Sequence, residues 1–176
     1  RQIFKSKTMK EITESEMLQK MASYCSVAER CLQDISKKLD ATGLSEEAKE
    51  NIKLRLVQEK FLDEKRFTRA FVNDKLRFNQ WGRVKILSEL KKKGIPSLEI
   101  NEAISGINER EYNNVLQTIL KSKNKSIKAN NERERFYKLL RFAAGRGFTT
   151  QEAGSCLKKI LMASTDIELD YDEDME

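Results

Sequence analysis

The sequence predicts an all-α protein made of three tandem three-helix, helix-turn-helix-like repeats in an elongated curved stack, with no sheet. Three observations carry that prediction. Charged residues make up 35% and hydrophobic ones 39% of 176 residues, with one proline and seven glycines; strand-rich folds need more turn residues than this. Three glycines recur at near-equal spacing: Gly43 in DATGLSEEA, Gly94 in KKKGIPSLE and Gly147 in GRGFTTQEA, 51 and 53 positions apart, which is a repeat signal. Around each glycine the apolar residues keep the same register. Those at minus eight and minus four are Ile35 and Leu39, Ile86 and Leu90, Leu139 and Ala143; the residue directly after is Leu44, Ile95 or Phe148; those at plus nine and plus thirteen are Ile52 and Leu56, Ala103 and Ile107, Cys156 and Ile160. The unit is therefore helix, glycine, helix, with each glycine expected in the left-handed conformation that ends a helix.

Each element has a local reason. In the first unit, Met17, Leu18, Met21 and Tyr24 form an apolar stripe, and Ser26 with Glu29 is expected to open the next helix as a capping box. Ser45 is placed to cap the helix after Gly43. In the second, Asp63 caps a helix carrying Phe67, Ala70, Phe71 and Phe78, which ends before NQWGR, and Pro96 opens the helix after Gly94, a position where the missing N–H costs little. In the third, Asn108 caps with Glu111 three residues on; Tyr112, Val115, Leu116 and Ile119 supply the stripe, and Thr149 pairs with Glu152 after Gly147. The expected division is residues 1–60, 61–107 and 108–165 for the three units and 166–176 for an acidic, disordered tail. Units of about 50 residues lie near the lower size limit for an independent core, so neighbours are expected to share packing. The stretch KSKNKSIKANN, 121–131, lacks periodicity and is expected to be a mobile loop.

Several function classes drop out. The chain has no histidine, which removes the commonest general base near neutral pH and the commonest transition-metal ligand. Cys25, Cys31 and Cys156 are odd in number and form no CxxC pair, so neither a disulfide framework nor a four-thiolate zinc site is expected, and buried free thiols are the plain reading. No Walker or Rossmann glycine fingerprint occurs. Asp63 and Glu64 are the most plausible catalytic carboxylates, and Asp63 already has work as a helix cap. A non-enzymatic protein without cofactor or metal is expected. No apolar run approaches the roughly 18 residues of a membrane span, and the N-terminal region is poor in apolar residues, so a cytoplasmic, non-membrane monomer is expected. Arg1 in place of methionine leads us to expect chain upstream.

Charge points to a binding role. Net charge is +6, but residues 166–176 hold seven acids and no Lys or Arg, leaving 34 basic against 21 acidic residues elsewhere, a net +13. A body that basic favours a polyanion or an acidic protein surface. One cluster comprises Arg69, Lys75, Arg77, Arg83, Lys85, Lys91, Lys92 and Lys93, with Trp81 beside them as a candidate stacking side chain; the other comprises Arg133, Arg135, Lys138, Arg141 and Arg146 within the basic stretch 121–146. The plainer alternatives are a solvated helix face and a tryptophan packed at a helix junction. The acidic tail is a candidate polyanion mimic competing for the basic body.

The stretch LVQEKFLDEKRFTRAFVNDKLRFNQWGRVKILSELKKKGIPSLEINEAI, 56–104, resembles the central part of RecX proteins, whose G-R-x-x-I-x-x-E-L-x-x-K-G-I run is met here by Gly82, Arg83, Ile86, Glu89, Leu90, Lys93, Gly94 and Ile95. With the glycine repeat, the resemblance extends over 24–162; the N-terminal helix, FNQWGR and the acidic tail depart from the family pattern. The resemblance implies a modulator of RecA that lies in the groove of the RecA filament on DNA and hinders filament growth, ATP hydrolysis, strand exchange and coprotease activity. Single- or double-stranded DNA is a further expected partner. A helical module acting on nucleic acid without RecA, and a helical scaffold for another acidic protein, are the alternatives from the same lysines.

Overall fold

The computed structural model describes residues 10–172, with side chains described as far as 163. Among the described residues the chain is helical throughout, with no strand: α1 (Glu14–Val27), α2 (Leu32–Asp40), α3 (Glu46–Gln58), α4 (Glu64–Arg77), α5 (Arg83–Lys92), α6 (Ser97–Ser105), α7 (Glu109–Ser126), α8 (Glu132–Gly145) and α9 (Thr150–Asp172). The all-α class and the three-helix repeat are thus as the sequence predicts. The acidic tail falls on residues whose side chains, and in its last four positions whose backbone, lie outside those described.

The chain divides into two compact units, 1–67 and 68–176. In the first, α1 and α2 pack on α3 around Met17, Met21, Ile35, Leu39, Ile52 and Leu56. Lys49, almost fully buried on α3, has its ammonium held by Glu46 at 2.9 Å and Asp40 at 3.3 Å, as a cation withdrawn from water requires. In the second, α5 packs on α6, and α7, α8 and α9 pack pairwise on one another. The apolar residues that define the repeat before each glycine are core: Ile35, Leu39, Ile86, Leu90 and Ala143 are completely buried and Leu139 is 3% exposed. Of those after it, Ile52, Leu56, Ile95, Ile107 and Phe148 are buried, whereas Leu44, Ala103, Cys156 and Ile160 are half-buried, and in α9 it is Ala153 and Leu157 that enter the core.

Most caps follow the sequence. The side chains of Ser45, Asp63, Asn108 and Thr149 accept from the N–H groups of Ala48, Arg66, Glu111 and Glu152, and the Glu152 carboxylate accepts from the Thr149 N–H in return. Gly94 (φ 75°) and Gly147 (φ 93°) occupy the left-handed region. Four expectations need correction or addition. Gly43 is not left-handed; the Thr42 hydroxyl donates to the Leu39 carbonyl at 2.6 Å and closes the end of α2 instead. Ser26 does not open a helix: it lies in the last turn of α1, donating back to the Ala22 carbonyl at 2.8 Å, and the α2 entry is fixed by Asp34 accepting from the Cys31 N–H. Thr13 and Glu16 form a capping box at α1 that the sequence reading omits. The stretch 121–131 is not all loop, because α7 runs to Ser126. Arg135 of α8 reaches the carbonyls of Asn124 at 3.1 Å and Ile127 at 3.5 Å, supplying donors that the C-terminal turn of a helix lacks within itself.

Two backbones meet within the second unit. The N–H of Gly82, at the N-cap of α5, donates to the Arg146 carbonyl at 2.7 Å, and the N–H of Val84 donates to the Gly147 carbonyl at 3.0 Å. The start of one helix is thereby joined to the end of another, pairing orphan donors with orphan acceptors. A Cβ on Gly82 would lie 2.3 Å from the Gly147 oxygen, and one on Gly147 would lie 2.3 Å from the Lys85 Cβ. Both glycines are needed for the approach itself.

Candidate functional site

The cations of the second unit fall into two groups: those the fold uses and those it leaves to solvent. Arg83 belongs to the first. Its guanidinium pairs with Glu109 and lies 3.6 Å from Glu152, and it stacks 4.0 Å above the Tyr112 ring. Its N–H donates to the Tyr112 hydroxyl, which donates in turn to Glu152, both at 3.1 Å. Tyr112 is 1% exposed and its ring lies 5.2 Å from that of Phe148; burial first, and then the Glu152 carboxylate, push its hydroxyl up to about 12. Arg83 is thus the hub of a network tying the α5 entry to α7 and α9. Arg77 is also engaged, bound to Glu111 at 2.6 Å; that bond holds the Glu111 carboxyl below its ordinary range and the guanidinium above its own.

Lys75, Trp81 and Lys85 come together. The two ammoniums lie 4.9 Å and 4.6 Å from the indole centroid, within cation–π range, with Trp81 half-buried between the end of α4 and the start of α5. Arg69 on α4 and Lys91 on α5 are exposed, and neither makes an ion pair with a described residue. Beside Lys91 at the end of α5 stand Lys92, 3.1 Å from Glu89, and the half-buried Lys93. On α8, Arg133 and Arg141 flank Tyr137 one turn to either side, and all three are exposed, making a basic stripe centred on an aromatic ring. The other three cations of that cluster are turned inward. Arg135 caps α7, Lys138 pairs with Glu134 at 2.9 Å, and Arg146 donates to the Asn79 carbonyl at 3.0 Å.

Lys123, Gln80 and Ser122, which join Arg146, are absent from the site residues expected from the sequence. Lys123, on the last turn of α7, and Arg146 both lie over the Phe142 ring, at 5.2 Å and 5.4 Å, and with Gln80 and Ser122 they line an open groove. Assigning 121–131 to a loop hid this, since only a helix through Ser126 sets Lys123 in register with Phe142. Cys25 and Cys31 are buried and Cys156 half-buried, all as free thiols, and burial raises the Cys25 and Cys156 thiols. Among the described residues no cluster of three His, Cys, Asp or Glu is placed to hold a metal, and no helix is long and apolar enough to cross a membrane.

The fold and the surface together define a class: a tandem three-helix-repeat protein presenting lysine-rich faces. Residues 63–104, covering α4 to α6, match the family model described as "RecX, second three-helix domain". The regulatory protein RecX of Prosthecochloris aestuarii is 30% identical over 146 residues, 82% of this chain and 93% of that protein. That of Lactobacillus johnsonii is 26% identical over 170 residues, 97% of this chain but 61% of its own length. Two solved structures share the fold: a regulatory protein RecX with a TM-score of 0.75 at 21% identity, over 82% of this chain and 73% of that one, and RecX from Lactobacillus salivarius with 0.76 at 16%, over 85% and 97%. The chain belongs to the RecX family.

Proposed function

We propose that this protein is a non-enzymatic regulator that binds the groove of the RecA filament on DNA through its basic helical faces and restrains RecA's ATP hydrolysis, strand exchange and coprotease activity. Family membership supports a regulatory role, and the observation that carries the binding mode is the division of the cations. Lys75, Lys85, Arg69, Lys91, Arg133 and Arg141 make no ion pair with a described acid, so their field is available to a partner. Such faces speed association with a nucleoprotein polyanion and make binding salt-sensitive. The three-unit division at 60, 107 and 165 belongs to this reading, because contacts made by several repeats add as multivalent binding. So do a monomeric state and residence in the cytoplasm.

The test is addition of the purified chain to preformed RecA on single-stranded DNA. Reduced ATP hydrolysis and strand exchange is the expected result; no change at low salt and clear excess overturns the reading. Neutralising Lys85, Lys91 and Lys92 together to Gln should weaken the inhibition while leaving thermal stability near that of the parent. Arg83 is left out of that set because the fold depends on it.

A further inference from the structure

A groove of about 310 Å³ runs between the α4–α5 turn, α7 and the end of α8. Its wall contains Lys123, Arg146, Gln80 and three hydroxyls, Thr118, Ser122 and Ser126, and no carboxylate. The hydroxyls stand one helical turn apart on α7, so they share a face. Lys123 and Arg146 approach the same Phe142 ring, at 5.2 Å and 5.4 Å, so both cations stand on the wall of one groove, and neither pairs with an acid among the described residues. The larger groove, between α7 and α9, has Glu152 in its wall and is poorly suited to an anion.

Donors and acceptors in this groove are already sorted. Thr118 donates to the Asn114 carbonyl at 2.7 Å and Ser126 to the Lys123 carbonyl at 3.2 Å. Each hydroxyl proton is therefore used within α7, and each oxygen remains free to accept. Ser122 and the Gln80 carboxamide make no hydrogen bond with a described residue and can donate. Arg146 gives one of its five N–H donors to the Asn79 carbonyl and keeps the others. The groove thus offers an ammonium, the rest of a guanidinium, a hydroxyl and an amide to an oxyanion, with bare acceptors on either side for a hydroxyl or amino group attached to it. The left-handed backbone at Gln80 (φ 56°) marks a conformation that a glutamine adopts at some cost.

We infer that this groove is a seat for a nucleotide phosphate, with Lys123, Arg146 and Ser122 binding the phosphoryl oxygens. The inference does not rest on the filament reading, since the seat is complete without RecA. Free nucleotides and the residues of a nucleic-acid strand share this chemistry, and the experiment separates them.

Trp81 is the chain's one tryptophan and adjoins Gln80, so its fluorescence reports on the groove. The full chain is titrated with thymidine monophosphate and, separately, with a short oligothymidylate, at ionic strength held constant with chloride. A saturable change is expected. Lys123→Gln should weaken it at least about tenfold, as loss of one charge-assisted contact implies, and Ser122→Ala should weaken it less. Lys20→Gln, on α1, serves as the control of equal charge change, and melting curves verify that each variant is folded. Saturation by both probes identifies a free-nucleotide seat; saturation by the strand alone identifies a strand contact; either supports the seat if Lys123→Gln weakens it. The inference is overturned if neither probe saturates, if Lys123→Gln binds like the parent, or if Lys20→Gln weakens binding as much as Lys123→Gln does.

Discussion

Replacing Gly82 with alanine should cost the second unit far more than one methyl group ordinarily costs. The new Cβ would lie 2.3 Å from the Gly147 oxygen, 2.4 Å from its carbonyl carbon and 2.6 Å from the Phe148 nitrogen. All three are backbone atoms, so no flexible side chain can move aside. Reaching ordinary van der Waals separation requires the two backbones to part by roughly 1 Å. That displacement would break or stretch the Gly82 to Arg146 and Val84 to Gly147 hydrogen bonds, now 2.7 Å and 3.0 Å. Two such bonds contribute about 1 kcal/mol each and overpacking about 1–3 kcal/mol, so a loss of about 3–5 kcal/mol is expected. Urea unfolding followed by Trp81 fluorescence measures it, because the tryptophan lies beside the junction. Gly145→Ala is the internal comparison: the residue lies in α8 with nothing within 4 Å of its would-be Cβ, and alanine there should stabilise by about 0.5–1 kcal/mol. A Gly82→Ala protein within about 0.5 kcal/mol of the parent, inside the range of ordinary surface changes, would refute the view that the two helix ends are locked by backbone contact.

Burial holds the Tyr112 proton to about 12 in the folded chain, against about 10 when unfolded. The folded state therefore retains a proton that the unfolded state releases: the contribution is fully present below pH 10 and is lost as pH rises through 12. Its size is about 2–3 kcal/mol. Urea midpoints taken across that window should fall for the parent more than for Tyr112→Phe, and parallel curves would remove tyrosine as the cause. Arg83→Glu should destabilise the second unit by about 3 kcal/mol or more, since it sets a third carboxylate beside Glu109 and Glu152; an unchanged thermal midpoint would show that the network is ornamental. Inhibition of RecA should weaken between 50 and 200 mM salt, and the triple Lys-to-Gln variant should show a shallower dependence; identical slopes would place the contacts elsewhere.

The repeat was legible because it is written in apolar residues, and apolar periodicity is decided locally. Ile35, Leu39, Ile86, Leu90, Leu139 and Ala143 could be picked out by spacing alone, and each is core. Caps at Ser45, Asp63, Asn108 and Thr149 were legible for the same reason, since donor and acceptor stand three residues apart. What failed depends on distant groups. The end of α7 is set by Arg135, eleven residues from Asn124, and no local pattern announces it. Arg83 reads as one more cation in a basic run, yet its partner Glu109 is 26 residues away and Tyr112 is 29. A charged side chain's role is fixed by what the fold brings to it, so the candidate surface was visible as composition while its membership was not.

Arginine and lysine divide the work along that line. Arg66 binds Glu29 at 2.5 Å, Arg77 binds Glu111, Arg83 binds Glu109, and Arg146 binds the Asn79 carbonyl, all joining segments 26 to 67 residues apart. The described lysine ion pairs on α3, α5 and α8 are mostly short-range: Lys53 to Glu50, Lys92 to Glu89, Lys138 to Glu134, with Lys49 to Asp40 the longest at nine residues. A planar guanidinium with a fixed fork can hold two elements in register, whereas a strongly hydrated ammonium loses more when immobilised. The consequence is a separation of stability from binding. Under the proposed function, tertiary structure draws on the arginines that join distant segments, and the field offered to a polyanion draws on lysines expected to be neutralised with little loss of stability. Arg55, paired with Glu59 only four residues on, and Arg69, Arg110, Arg133 and Arg141, exposed and without an ion pair to a described acid, break this rule, and the latter four are accordingly the ones expected to grip a partner's phosphates or carboxylates with two bonds where a lysine would make one.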